Sequence, residues 1–160
     1  MIERVGRVLP FACEPVFDMA ADIERYPEFL PWWIAARILR RDGNVCDVHQ
    51  VLGLGPLRFE FDSRAVLARP RRIDVTSTDP LFRRYALSWS ITPQPAGCRV
   101  QVAADIEINA WLLQRAMVGL LPGAVDGIVQ AFDARAHRLA TANTNTTTTD
   151  KTTTNTGPAS

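Results

Sequence analysis

Six short stretches, residues 34–41, 45–54, 57–67, 72–78, 85–92 and 98–108, each suit an extended strand and follow one another with almost nothing between them. The separators are turn signals: Asp42-Gly43-Asn44, residues 53–56, Arg69-Pro70, Asp79-Pro80 and residues 93–97. A parallel crossover needs a dozen or more residues, so gaps this short dictate antiparallel hairpins. The last stretch alternates most cleanly, with Val100, Val102, Ala104, Ile106 and Ile108 on one face and Arg99, Gln101, Asp105 and Glu107 on the other. One face is therefore buried and the other wet. Leu57, Phe59 and Phe61 against Arg58, Glu60 and Asp62 repeat the pattern, as do Leu87, Trp89 and Ile91 against Ser88, Ser90 and Thr92. Residues 2–9, where Val5 and Leu9 each follow two positions after Glu3 and Arg7, add a strand ending at Pro10.

The buried face needs a cover, and one later stretch is long enough to supply it. Residues 111–139 place Leu113, Met117, Leu121, Val125, Ile128, Val129, Phe132 and Ala136 at spacings of about three and four, an amphipathic helix. Pro122-Gly123 predicts a kink or break within it, because proline removes a helical hydrogen bond. Earlier, residues 12–21 carry Val16, Phe17 and Ala20 at helical spacing, with Pro15 tolerable only in a first turn.

Between that helix and the strands lie residues 22–33, which pack Tyr26, Phe29, Leu30, Trp32 and Trp33 around Pro27 and Pro31. Two prolines so close forbid one continuous helix, so a short helix runs into a rigid aromatic corner. Tyr26 and Phe29 read as core. Trp32 and Trp33 are adjacent, so an extended backbone would send them to opposite faces, one of them bordering a cavity or the surface. Asp22, just ahead of the short helix, reads as a cap for its free amide donors.

The chain has 160 residues, 47% hydrophobic and 22% charged, with a net charge of +1. That fits one globular domain over residues 1–140 and gives no electrostatic reason to expect a DNA-binding protein. From residue 141 the chain is mostly Thr, Asn and Ser, a composition expected to leave a disordered tail. Cys13, Cys46 and Cys98 are odd in number and form no C-x-x-C pair, which argues against a disulfide scaffold or a zinc site and for a reducing, cytoplasmic home. No segment has the length and apolar content of a membrane span, so membrane contact is expected to be peripheral. His49 and His137 are the only histidines, and both read as surface residues. No G-x-S-x-G, H-E-x-x-H or phosphate-cradling glycine loop is present, so no metal or catalytic site is expected. The paired arginines Arg40-Arg41, Arg71-Arg72 and Arg83-Arg84 read first as solvated turn residues, and second as contacts for anionic headgroups or ribosomal phosphates.

The run Asp22-Ile23-Glu24-Arg25-Tyr26-Pro27-Glu28-Phe29-Leu30-Pro31-Trp32 resembles the N-terminal signature of the coenzyme Q-binding START-domain family, part of the polyketide-cyclase-like, helix-grip superfamily. Leu57-Arg58, Pro70-Arg71-Arg72-Ile73, Pro80-Leu81-Phe82-Arg83, Trp89, Gly97-Cys98-Arg99-Val100 and Ala131-Phe132 match further pieces in order. The resemblance implies an α+β helix-grip (START, Bet v 1-like) fold: a curved antiparallel sheet of about seven strands around a long C-terminal helix, with two short helices after the first strand. It also implies that the gap between sheet and helix takes ubiquinone or a related isoprenoid lipid as a bound ligand, with no other cofactor and no catalysis. The residues expected to line that gap are Leu30, Trp32, Trp33, Phe59, Phe61, Leu87, Trp89, Ala104, Met117, Leu121 and Val125. Asp22, Tyr26, Pro27, Phe29 and Pro31 carry the structural motif. The ribosome-association toxin branch shares these motifs, which makes the ribosome an alternative partner, and a polyketide cyclase or aromatase is the third reading. A carrier would also load at the inner membrane through whichever of Trp32 and Trp33 is exposed.

Overall fold

The computed structural model describes residues 2–54, 56–109, 111, 115 and 123–149. Strand β1 (Ile2–Leu9) leads through Pro10 into helix α1 (Cys13–Ala21), and a 3₁₀ segment (Ile23–Glu28) follows. Strands β2 (Trp33–Asp42), β3 (Val45–Leu54), β4 (Leu57–Ala68), β5 (Arg72–Thr76), β6 (Phe82–Gln94) and β7 (Gly97–Ile108) come next, and helix α2 (Ala124–Thr149) closes the described chain. All seven strands form one antiparallel sheet in the order β1-β7-β6-β5-β4-β3-β2. Register shifts in β2, between Trp33 and Ala35 and between Ile38 and Arg40, and in β6, between Phe82 and Arg84, mark bulges that increase local twist.

The alternation of the sequence is realised most clearly in β4, β6 and β7, whose inward residues Phe61, Ala65, Leu87, Trp89, Ile91, Val100 and Val102 are buried. Residues 82–84 join β6 ahead of the strand expected from residue 85, and the turn after β6 tightens to Pro95 and Ala96. Gly97 opens β7 with φ 143°, and a Cβ there would lie 2.0 Å from the Leu9 carbonyl, so the end of β1 crosses this turn only because the residue is glycine.

Helix α2 lies across the buried face and is held by β1 and by the 3₁₀ segment. Arg7 meets Asp133 at 2.7 Å, the Gly123 amide donates to Glu3 Oε1 at 3.2 Å, and Arg135 meets Glu28 at 2.9 Å while lying 5.1 Å from the Phe29 ring centroid. The helix starts directly after Gly123, which has a φ of 90°; the expected stretch just before it, residues 116–122, lies outside the described residues. The helix then runs past residue 141, where irregular chain is expected, to Thr149. The Thr141 hydroxyl donates to the His137 carbonyl at 3.0 Å, a bond that competes with the helix ladder and does not drive it. Residues 150–160 lie outside the described residues.

Candidate functional site: an apolar cavity between sheet and helix

The corner that heads β2 is built from its own backbone. Tyr26 is buried, its hydroxyl donates to the Ala20 carbonyl, and its own carbonyl accepts from the Phe29 and Leu30 amides at 3.2 and 2.8 Å. Burial, then the nearby Tyr85 and Asp22, raise the Tyr26 phenol well above its ordinary range, so it stays a neutral donor. Asp22 does not cap. Its backbone (φ −82°, ψ 66°) lies outside the extended region an N-cap uses, it makes no side-chain capping bond, and its carboxylate lies 3.6 Å from Arg25. Pro27 sits inside the 3₁₀ segment and Pro31 in the exposed turn beyond it.

Trp32 breaks the alternation that the sequence implies. Its φ is 70°, a left-handed turn and not a strand, so the two indoles are not sent to opposite faces. Both are half-buried, and both line one cavity. The Trp32 carbonyl accepts from the Gly53 amide at 2.9 Å, and a Cβ on Gly53 would lie 2.6 Å from Ile34 Cδ1, so glycine lets β3 close against this corner. Trp33 Nε1 donates to Gln50 Oε1 at 2.8 Å and Gln50 Nε2 to Ser63 Oγ at 2.7 Å, a buried polar chain that fixes the indole.

The cavity measures about 90 Å³, and the surface it exposes is wholly apolar. Trp32 and Trp33 form one side. Leu52, Phe59, Phe82, Tyr85 and Leu87 with Ala104, Ile106 and Ile108 form the sheet side, and Ala124, Val125 and Ile128 of α2 the roof. Burial raises the Tyr85 phenol above its usual range, so that side chain too is neutral at any physiological pH.

Six of the expected lining residues therefore border the cavity: Trp32, Trp33, Phe59, Leu87, Ala104 and Val125. Leu30, Phe61 and Trp89 do not. Leu30 is packed in the core, Phe61 turns its ring onto Phe82 and Tyr85 at 4.9 and 5.2 Å, and Trp89 lies against Phe132 at 4.5 Å. Met117 and Leu121 lie outside the described residues. The expected set lacked Leu52, Phe82, Tyr85, Ile106, Ile108, Ala124 and Ile128; Tyr85 lies two positions from Leu87 and shares its face by alternation, whereas Phe82 lies five away and shares that face only because the register shifts between Phe82 and Arg84.

Around the cavity the surface is ionic. Arg72, Arg83 and Arg84 face Asp74, Glu107 and Asp105, whereas Arg40 and Arg41 on the edge strand β2 have no carboxylate within 4.0 Å among the described residues. His49 lies between Asp62 (2.7 Å) and Glu60 (3.6 Å) on the outer face. Among the described residues no cluster of three His, Cys, Asp or Glu side chains could hold a metal, and no helix is long and apolar enough to cross a membrane.

The family model for polyketide cyclase / dehydrase and lipid transport proteins matches residues 9–133, from the end of β1 to the middle of α2. The chain belongs to this family. Its curated relatives include the ribosome association toxin RatA of Rickettsia prowazekii, 25% identical over 83% of this chain and 94% of that protein. The mitochondrial coenzyme Q-binding protein of Dictyostelium discoideum is 26% identical over 86% of this chain and 69% of its own length. Among solved structures, a START superfamily protein from Mycobacterium smegmatis superposes with a TM-score of 0.72 at 16% identity, over 86% of this chain and 98% of that one, a likeness of fold. The seven-stranded antiparallel sheet and C-terminal helix of this family member are thus the START-like architecture that its sequence motifs imply.

Proposed function

We propose that the protein binds an apolar small molecule of the isoprenoid quinone class, ubiquinone by its similarity to the coenzyme Q-binding relative, and carries it without changing it. The observation that supports this reading is the wholly apolar cavity between sheet and helix, walled at one side by Trp32 and Trp33. Among the described lining residues only the Tyr85 hydroxyl and the indole nitrogens carry polar atoms, and one of those indoles is committed to Gln50. Such a lining suits sequestration better than cyclisation, which needs convergent polar groups.

At about 90 Å³ the cavity is smaller than the ~150 Å³ void that takes a benzene ring, and far below the ~300–1,000 Å³ of ordinary ligand pockets. A quinone head therefore enters only if Ala124, Val125 and Ile128 move away from the sheet. Each buried methylene gains ~0.8 kcal/mol relative to water, but the bilayer offers the tail nearly the same, so selectivity rests on the head and on shape. Loading also needs a membrane contact. Trp33 is committed to Gln50 and Trp32 is half-buried beside the cavity, whereas Trp111 is 67% exposed and follows three residues after the cavity-lining Ile108. On this reading Trp111→Ala weakens liposome association and Trp33→Ala does not, which liposome flotation measures.

Native mass spectrometry of protein purified from a quinone-producing host, followed by solvent extraction, tests the carrier directly. A stoichiometric, chemically unchanged quinone, lost in Ala104→Trp, is the expected result. Protein that arrives empty and takes up no added quinone overturns it. A second reading, association with the ribosome, draws on the similarity to RatA and on Arg40 and Arg41 of edge strand β2, which make no ion pair within 4.0 Å among the described residues and suit phosphate contacts. Co-sedimentation with large ribosomal subunits that is lost in Arg40→Ala/Arg41→Ala would favour it over the carrier.

A further inference from the structure

Cys13 and Cys98 are 85 residues apart in sequence, yet their Sγ atoms lie 2.6 Å from each other. The fold brings them together in two steps. Antiparallel pairing of β1 with β7 sets Leu9 opposite Cys98, and the chain then turns through Pro10 so that α1 begins, at Cys13, back over the start of β7. Both side chains are buried, and Cys98 is fully enclosed. A separation of 2.6 Å is closer than two unbonded thiols pack, and only about half an ångström beyond the ~2.0 Å of a covalent S–S bond. Wide spacing in the sequence argues against a disulfide, but spacing reports nothing about distance once a sheet has formed. Cys46, on β3, has no sulfur partner among the described residues.

We propose that Cys13 and Cys98 are a reversible dithiol–disulfide pair, oxidised by hydroperoxides. Cys13, at the first turn of α1 and the less enclosed of the two, attacks the peroxide oxygen, giving a sulfenic acid and one water. The Cys98 sulfur then attacks the Cys13 sulfur, the S–S bond forms, and the hydroxyl leaves as a second water with the Cys98 proton. Two thiols lose two hydrogens and one hydrogen peroxide becomes two waters. Burial and the neighbouring Cys13 push the Cys98 thiol up to about 12, so it is protonated in the reduced protein and gives up its proton only as the bond closes. The loop so closed contains β2 to β6, and the bond ties α1, and with it the 3₁₀ corner, to β7. Closing so long a loop restricts the unfolded chain strongly, so oxidation raises the melting temperature by roughly 4–15 °C.

The test counts thiols and does not depend on what the cavity holds. Full-length protein, reduced or treated with a small excess of hydrogen peroxide, is denatured in iodoacetamide without reductant and weighed intact. Reduced protein gains three carbamidomethyl groups. Peroxide-treated protein is expected to gain one, on Cys46, and to recover three after dithiothreitol. Cys46→Ser, which leaves the pair in place, is expected to go from two to none. Three groups after peroxide, or a mass increase from sulfinic acid that dithiothreitol does not reverse, would overturn the proposal.

Discussion

One turn of α2, about 6 Å along its axis, separates two different ways of meeting the sheet. At Phe132 the helix presents a ring that touches Tyr26, Phe29 and Trp89 edge-on, with centroids 5.7, 5.0 and 4.5 Å away, and the void beside Tyr26 and Trp89 among the described residues is only about 20 Å³. At Ala124, Val125 and Ile128 the same helix, over the same sheet, faces Leu87 and Ala104 across a void. Both regions are apolar, so hydrophobicity does not separate them. The side chain that α2 offers does: Phe132 brings a large ring onto the sheet, whereas Ala124, Val125 and Ile128 bring smaller side chains, so the helix fills the space at one end and leaves it open at the other although aromatic rings line both. The sealed end makes the fold, and the open end makes the site.

The largest effect that distinguishes the two ends is truncation in the seal. Phe132→Ala removes the centre of the aromatic cluster and is expected to cost about 3–5 kcal/mol, lowering the melting temperature by roughly 6–20 °C. Urea denaturation measures it, and a loss below about 1 kcal/mol would mean the seal is not where the stability lies. Gln50→Leu comes next, at about 1–3 kcal/mol, because it leaves the Trp33 indole N–H and the Ser63 hydroxyl unpaired in the interior. Enlargement then gives opposite answers at the two ends. Val102→Leu, in the packed region beside Trp89, is expected to cost about 1–3 kcal/mol, whereas Ala104→Leu, two residues along the same face, grows into empty space and changes stability by less than about 1.5 kcal/mol while displacing quinone. Equal costs at the two positions would erase the distinction.

The smallest expected effect is electrostatic and lies on the surface, where Arg69 Nε meets Asp18 Oδ1 at 2.9 Å and joins α1 to the turn between β4 and β5. The bond from Arg69 holds the Asp18 carboxyl below its usual range. A depressed carboxylate stabilises the fold above its ordinary pKa near 4, and that contribution fades as the pH falls through the folded value. Both side chains are more than half exposed, so the contribution is slight. Melting temperatures of wild type and Asp18→Asn should therefore differ slightly at pH 6 and converge as the pH falls below the ordinary carboxylate range.

Strands and turns were legible in the sequence because alternation and turn chemistry are local. So was the start of α2 directly after Pro122-Gly123, a pair that carries its own backbone preference. The cavity was legible only by face. Phe59 and Phe61 share a face by alternation, yet one borders the void and the other packs on Phe82, because which inward residue meets space depends on what the other elements place over it. The Trp32 turn and the Cys13–Cys98 contact are set by tertiary packing, and neither leaves a periodic trace.

The central claim, that the open end holds the ligand and the sealed end only the fold, is tested most directly by methyl NMR of the full chain titrated with a short-tailed ubiquinone. Leu52, Leu87, Ile106, Ile108 and Ile128 line the cavity, while Ile91, Val100 and Val129 are buried away from it. Saturable shifts confined to the first group are the predicted result. Shifts centred on the second group or on the outer face of the sheet, or no shift at all, would contradict it.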